Sequence, residues 1–413
     1  MHTSSRVAII GAGVSGLAAA KHLARHHPQV FEASDSIGGV WRKCTYETTK
    51  LQSVRVSYEL SDFLWPNRGE SSFPTYVDVL DYLEAYAKHF NLVKFIKFNS
   101  KVVELRFIGD GKTLQMGDLG AYGNLLPGKP VWEVAVNTGD GDIQWHAFEY
   151  VVVCAGKYGD VPRTPTFPVK KGPEIFKGKV LHSMDYSKLQ KEKASQLLHG
   201  KKVAVIGFKK SAIDLALESA LANQEKYGLK PDHAFEEDYA SCQMALVPEK
   251  FFEEADKGMI RFKRTTNWWF YDEGIEFEDG TTLEADVVIL ATGYDGMKKL
   301  KAIVPEPFRS WLEFPWGIMP LYRGTIHPLI PNMGFIGYVQ SSSNLKSSEL
   351  HLRWLSQLLD GKFTLPSKEK MLDQFLKEMH VMRRSSRFYK NHCFSTFSIQ
   401  HADDLSKDMN LKP

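Results

Sequence analysis

Four consecutive apolar residues, Val7-Ala-Ile-Ile10, stop at a glycine, and a stretch with helical apolar spacing over 14–25 follows. A short continuous apolar run ending at glycine is the pattern of a strand buried on both faces. Gln29-Val-Phe-Glu32 reads as a second strand, so the chain opens with a β-α-β unit. The pattern returns at Lys202-Val-Ala-Val-Ile-Gly207, followed by helical spacing over about 211–223. Each unit is matched later by a buried run ending in small residues: Tyr150-Val-Val-Val-Cys-Ala-Gly156 for the first and Asp286-Val-Val-Ile-Leu-Ala-Thr-Gly293 for the second. The latter is expected to return the chain to the first unit. Residues 77–90 predict an amphipathic helix capped by Thr75. Strand-like runs over 101–151 are interrupted by a glycine-rich segment, Gly117 to Gly128, expected as a hairpin loop. The proline-rich stretch 161–168 reads as a linker, and helices are expected near 347–360 and 367–383.

Composition narrows this picture. Hydrophobic residues make up 43% and charged residues 24% of 413, enough for two domains with a buried core. The formal net charge of +3 is too weak a bias to point to nucleic acid. No window approaches the ~20 apolar residues of a membrane span. Arg6 and the apolar run after it could pass for a secretory signal, but the glycines at 11, 13 and 16 account for that stretch better. Cys44, Cys154, Cys242 and Cys393 are far apart, with no CxxC pair and no metal-ligand spacing. They are expected as reduced thiols in a cytoplasmic protein, which excludes dithiol flavin chemistry.

The chemistry sits at the glycine turns. In Gly11-Ala12-Gly13-Val14-Ser15-Gly16 the first glycine makes the turn, the second admits a pyrophosphate to the backbone, and the third lets helix and strand pack. The helix N-terminus then offers unpaired N–H groups to phosphate. Glu32, sixteen residues past Gly16, is placed to accept a hydrogen bond from a ribose hydroxyl and to repel a phosphorylated ribose, which suits FAD. Gly38-Gly39, followed by Val40 and Trp41, supply a further close approach to the dinucleotide. The second turn, Gly207-Phe208-Lys209-Lys210-Ser211-Ala212, keeps the first glycine and a small last residue, but Lys209 stands where the middle glycine would be. It reads as an NAD(P) site, two lysines adding favourable charge, or as an ordinary strand-turn-helix; the family resemblance given below makes the nucleotide NADPH. The fold class predicted is α/β, with two Rossmann-like dinucleotide-binding domains. The FAD domain spans 1–165 and 261–413, and a smaller, incomplete NADPH domain is inserted at 166–260.

Between the two turns lies Phe176-Lys-Gly-Lys-Val-Leu-His-Ser-Met-Asp-Tyr186, the pattern FxGxxxHxxxY. It resembles the identifying sequence of the flavin-containing monooxygenases. Thr48-Thr-Lys-Leu-Gln52, Leu60-Ser-Asp-Phe63, Ala291-Thr-Gly-Tyr-Asp295 and Leu321-Tyr-Arg-Gly324 resemble the plant branch, which includes a pipecolic acid N-hydroxylase of systemic defence. The resemblance covers nearly the whole chain. It implies an FAD- and NADPH-dependent transfer of one oxygen atom from dioxygen, through a hydroperoxyflavin, to a nucleophilic nitrogen or sulfur of a small amine or sulfur compound. It names no general base. His182 is more often a satisfied structural histidine than a catalyst, and the resemblance is compatible with a structural role linking the domains. Gln52-Ser53 falls where the family places a polar residue near the flavin, and Asn332 to Ser343 is expected either to close over the flavin or to be a core strand with a polar loop. Trp268-Trp269-Phe270 and Arg383 to Arg387 are read as buried aromatics and a solvated basic cluster.

One departure stands out. After the second-unit helix a dinucleotide fold needs another parallel strand and a basic residue for the 2′-phosphate. Here Asn223 runs almost directly into Phe235, so several tens of residues are missing between Gln224 and Tyr227 relative to the family, and the C-terminus is also shorter. The alternative expectation is therefore a flavin-binding protein with weak or lost NADPH turnover.

Overall fold

The computed structural model describes residues 5–110, 120–139, 141–207, 209–220, 234–243, 247–248 and 250–411. Its centre is a five-stranded, all-parallel sheet. The strand order is Met333–Phe335, Tyr150–Val153, Val7–Ile10, Gln29–Phe31, Ile96–Lys97. The apolar runs were legible because both faces of this sheet are covered. Val7, Ala8 and Ile9 are fully buried, as are Tyr150 to Val153. Register places Ile10 beside Val153 on one side and Phe31 on the other, so the turns that follow these strands meet at one edge of the sheet.

Helix Val14–His22 crosses one face. Ala18, Ala19 and Ala20 let helix Asn344–Leu359 approach it closely, and Ser356 Oγ donates to the His22 carbonyl at 2.9 Å. Helix Tyr76–His89 starts where Thr75 predicted, with a reciprocal capping box. The Asp78 N–H donates to Thr75 Oγ1 at 3.2 Å, and Asp78 Oδ2 accepts from the Thr75 N–H at 2.7 Å. The strand-like runs of 101–151 become an antiparallel sheet of Lys101–Phe107, Trp132–Asn137 and Ile143–Phe148. Of the glycine-rich segment, 117–119 lie outside the described residues, as do 111–116 before it.

The second unit holds a three-stranded parallel sheet in the order Lys179–His182, Val287–Leu290, Val203–Ile206. This corrects two expectations. Val287–Leu290 does not return to the first sheet: it is the central strand of the second, with Leu290 level with Ile206 and His182. By its sheet the second unit therefore runs past residue 260 to Leu290. An antiparallel sheet of Trp268–Tyr271, Gly274–Phe277 and Thr282–Glu284 covers it, with Phe270, Ile275, Phe277 and Phe176 in a shared core. Phe270 is fully buried and Trp269 stacks under Lys171 at 4.6 Å, so these aromatics pack rather than line a pocket.

The cysteines require a third correction. Cys242 and Cys393 form a disulfide across 151 residues of sequence. Spacing gave no hint of it, because the pair exists only where the segment after helix Phe235–Ala240 lies on the C-terminal region. There Arg387 pairs with Glu237 at 3.2 Å and Asn391 Nδ2 donates to the Ser241 carbonyl at 3.3 Å. Cys44 and Cys154 are free. The argument for a cytoplasmic protein from four reduced thiols loses its footing. Among the described residues no helix is long and apolar enough to cross a membrane.

Candidate functional site

Gly11 has φ +100°, and a Cβ there would sit 2.8 Å from the Cys154 carbonyl oxygen. Only glycine lets the turn lie this close to the end of the neighbouring strand. A Cβ on Gly16 would run into the Gly11 carbonyl, so the helix starts hard against the turn it follows. Gly13 and Gly39 face each other, a Cβ on Gly39 meeting Gly13 Cα at 3.1 Å, and the Gly38 N–H donates to the Ala12 carbonyl at 3.1 Å. The glycine pair predicted from sequence is thus folded onto the first turn. Val40 and Trp41 begin the short helix Val40–Lys43, and Trp41 Nε1 donates to Tyr58 Oη at 3.0 Å. Ser15 lies beneath the chain at Gly337, where a Cβ would come within 2.8 Å of its Oγ.

Glu32 is 5% exposed at the end of its strand. Oε2 accepts from the Ala12 N–H at 2.7 Å and Oε1 from the Ser34 N–H at 2.9 Å, with Lys43 Nζ 3.8 Å away. A carboxylate has about four acceptor positions. The Ser34 hydroxyl takes a third, which leaves capacity for one ribose hydroxyl. The buried acid and the close-approach glycines fit the adenosine diphosphate half of FAD.

The second turn repeats this construction. Gly207 has φ +141°, and a Cβ there would sit 2.6 Å from the Ala291 carbonyl oxygen. Cys154 follows the strand beside the first turn and Ala291 follows the strand beside the second, so the two turns rest on equivalent floors. Lys210 opens helix Lys210–Ala220 but is ion-paired with buried Asp214 one turn on. Lys209 keeps its amine below the usual lysine range, chiefly by desolvation, with Arg163 adding to the effect and Asp238 opposing it. Arg163 belongs to the proline-rich crossing, which is tied down by the Arg163 N–H donating to the Gly293 carbonyl at 2.9 Å. Ser211 and Ala212 lie in the first turn of the helix, while Phe208 lies outside the described residues. The glycine fits a pyrophosphate. Lys209 replaces backbone access with charge.

The FxGxxxHxxxY pattern joins the units. Phe176 packs on Phe270 at 5.6 Å, and Gly178 has no room for a Cβ against the Asp286 carbonyl. His182 Nδ1 accepts from the Met184 N–H at 3.1 Å, capping helix Ser183–Tyr186. Burial lowers the pKa of its imidazole, with Asp185 and the Gly293 backbone opposing. Tyr186 is buried against Tyr46 of the first unit. These contacts give His182 a cap position at the joint between the units.

Of the remaining expectations, Gln52 is exposed and Ser53 half-buried. In Asn332 to Ser343 the core-strand reading holds: Met333–Phe335 is the edge strand, Asn332 Nδ2 donates to the Leu125 carbonyl at 2.9 Å, and Ser343 Oγ donates to the Ser57 carbonyl at 2.7 Å. Sequence reasoning missed Cys154 and Ala291 as floors of the turns, although the small residues ending both strands were the available signal. It also missed Tyr46, for which there was none.

Two glycine turns of matched geometry on two parallel sheets define a two-dinucleotide flavoprotein fold. The family model described as "Flavin-binding monooxygenase-like" matches residues 4–225 and 219–413, and the chain belongs to that family. Its cofactors are FAD and NADPH. The Arabidopsis thaliana protein named "Putative flavin-containing monooxygenase 2" is 91% identical over 453 positions, covering 100% of this chain and 99% of that one. A second, named "Probable flavin-containing monooxygenase 1", is 68% identical over 491, covering 100% and 93%. The S-allyl-L-cysteine S-oxygenase structure from Allium sativum shares the fold, with a TM-score of 0.70 at 21% identity, covering 99% and 89%. The chain has 413 residues against 453 aligned positions, so at least 40 positions of the first relative have no counterpart here. The two pieces of the family match meet at 219–225, at the junction where sequence placed the missing segment.

Proposed function

We propose that the chain is an FAD- and NADPH-dependent monooxygenase that transfers one oxygen atom from dioxygen to the nucleophilic nitrogen or sulfur of a small molecule. The observation that carries this reading is the repeated turn: Gly11 over the Cys154 carbonyl and Gly207 over the Ala291 carbonyl. When bound, FAD reduced by NADPH supplies the oxygen-activating chemistry. The chain's own residues bind and orient. Gly11 to Gly16 and the helix N-terminus take the FAD pyrophosphate, Glu32 takes the ribose, and Gly38-Gly39 with Val40 and Trp41 close the chain over the dinucleotide. Gly207, Lys209, Ser211 and Ala212 take the NADPH pyrophosphate, with Lys210 held by Asp214. No side chain is assigned as a general base. Sulfur as acceptor is supported by the fold shared with the Allium S-oxygenase. Nitrogen as acceptor, with a role in plant defence, is supported by the sequence resemblance.

A second reading, flavin binding with weak NADPH turnover, is favoured by the junction. Among the described residues the strand Val203–Ile206 is an edge, with no strand beyond it to carry a 2′-phosphate ligand. One experiment separates the two. Purified yellow protein is mixed anaerobically with NADPH and the visible flavin band is followed. Rapid bleaching is expected for the monooxygenase; an unbleached band at high NADPH removes it in favour of the second reading.

A further inference from the structure

The run from Lys43 to Thr48 begins four residues after Gly39 and leaves the first unit to lie on the second. Ser187 Oγ donates to the Lys43 carbonyl at 3.0 Å, Lys191 pairs with Glu47 at 2.7 Å, and Thr48 Oγ1 donates to the Asp214 carbonyl at 3.5 Å. Between these contacts Tyr46, 5% exposed, is inserted into the core of the second unit with Tyr186, Ala212 and Leu215. Ala212 and Leu215 lie on the helix that opens the second glycine turn.

Magnitudes decide which contact matters. The Lys191–Glu47 pair is more than half exposed on both sides, and such pairs contribute about 0–1 kcal/mol. The Thr48 bond is long. A buried tyrosine contributes far more, and it is a stiff connector with only two side-chain torsions. Close-packed cores pass a displacement on rather than absorb it. The Tyr46 hydroxyl adds direction: it is buried, and the polar groups that face it are the hydroxyls of Ser183 and of Ser211 in the second turn.

We propose that Tyr46 is a positioning residue that couples the two nucleotide sites: the Gly38–Lys43 run, seated by FAD, holds Tyr46 against the Lys210–Ala220 helix and so orders the second turn. This rests on the reading of that turn as the NADPH site, but its deciding readout, hydrogen exchange, does not. Hydrogen exchange over 210–217 is measured in FAD-loaded and FAD-stripped protein. In the wild type, loading is expected to protect this segment. In Tyr46→Ala that dependence is lost while FAD content is kept, and NADPH binding weakens by about tenfold, within the usual range for coupled sites. Tyr46→Phe, which keeps the ring, is expected to retain the protection, and Glu47→Gln to behave as wild type. If Tyr46→Ala fails to fold, Tyr46→Leu fills most of the volume and is held to the same criteria. The proposal is overturned if exchange over 210–217 ignores FAD in the wild type, or follows FAD equally in the variant. An unbleached flavin with NADPH would sink the proposed function and leave the exchange result to decide the coupling.

Discussion

Gly11 and Gly207 hold φ values of +100° and +141° with a carbonyl oxygen within 2.8 Å of where a Cβ would lie. A side chain at such a position costs about 1–3 kcal/mol in backbone strain, before any clash. Gly11→Ala is therefore expected to purify with little bound flavin, read from the ratio of visible to ultraviolet absorbance. Gly207→Ala is expected to stay yellow but to lose bleaching by NADPH. A pair of variants that both lost flavin, or both kept hydride uptake, would break the assignment of one cofactor to each turn. Glu32→Gln should weaken FAD retention with the fold intact, because the amide replaces one acceptor oxygen with a donor facing either the Ala12 or the Ser34 N–H.

At the scale of elements, two of the segments that resembled the plant branch hold helices in place. In Leu321-Tyr-Arg-Gly324, Arg323 pairs with Asp404 at 3.0 Å and Asp408 at 2.8 Å on the C-terminal helix Ser398–Asp408. A Cβ on Gly324 would meet His351 Cε1 at 2.7 Å. In Ala291-Thr-Gly-Tyr-Asp295, Asp295 caps helix Gly296–Lys301 by accepting from the Lys298 N–H at 2.8 Å. The disulfide Cys242–Cys393 ties the region behind the junction to the C-terminal segment. Closing a loop of 151 residues stabilises by about 5 kcal/mol in the chain-entropy picture. Thiol titration under denaturing, non-reducing conditions should find only Cys44 and Cys154; reaction of all four would remove the bond. Thr75→Ala, which takes away one half of a capping box, should cost about 1 kcal/mol, seen as an earlier denaturation midpoint with FAD binding unchanged.

For the molecule as a whole, a cluster of buried histidines against the C-terminal helix contributes to the response to acid, as does buried His327, held at about 4 by desolvation. His351 and His401 meet at 2.9 Å through their Nε2 atoms, both buried, beside buried His392. Desolvation holds His351 at about 4 and His392 at about 3, and pushes His401 well below its ordinary value. A group depressed in the folded state contributes stability that is full above its unfolded pKa of 6.5 and is lost as pH falls toward the folded value. Glu378 runs the other way. Burial raises it to about 7, so its contribution is full below its unfolded pKa of 4.5 and lost as pH rises through 7. Three histidines outweigh one carboxyl, so thermal stability should fall between pH 6.5 and pH 4, with residues 398–408 losing hydrogen-exchange protection first. His351→Gln should flatten that dependence. A midpoint that is constant over this range would contradict the arrangement.

The two glycine turns, their strands, the acid at position 32, the Thr75 cap and the break at the junction were all legible in the order of residues. All are local: a turn that only glycine can make, or a strand buried on both faces, writes its requirement into consecutive residues. Tertiary structure alone decided that Val287–Leu290 is central to the second sheet, that Cys242 meets Cys393, that His182 caps a helix, and that Tyr46 crosses between the units. Those outcomes depend on which surfaces meet after collapse. An isolated tyrosine or cysteine carries no periodicity or spacing that could announce its partner in advance.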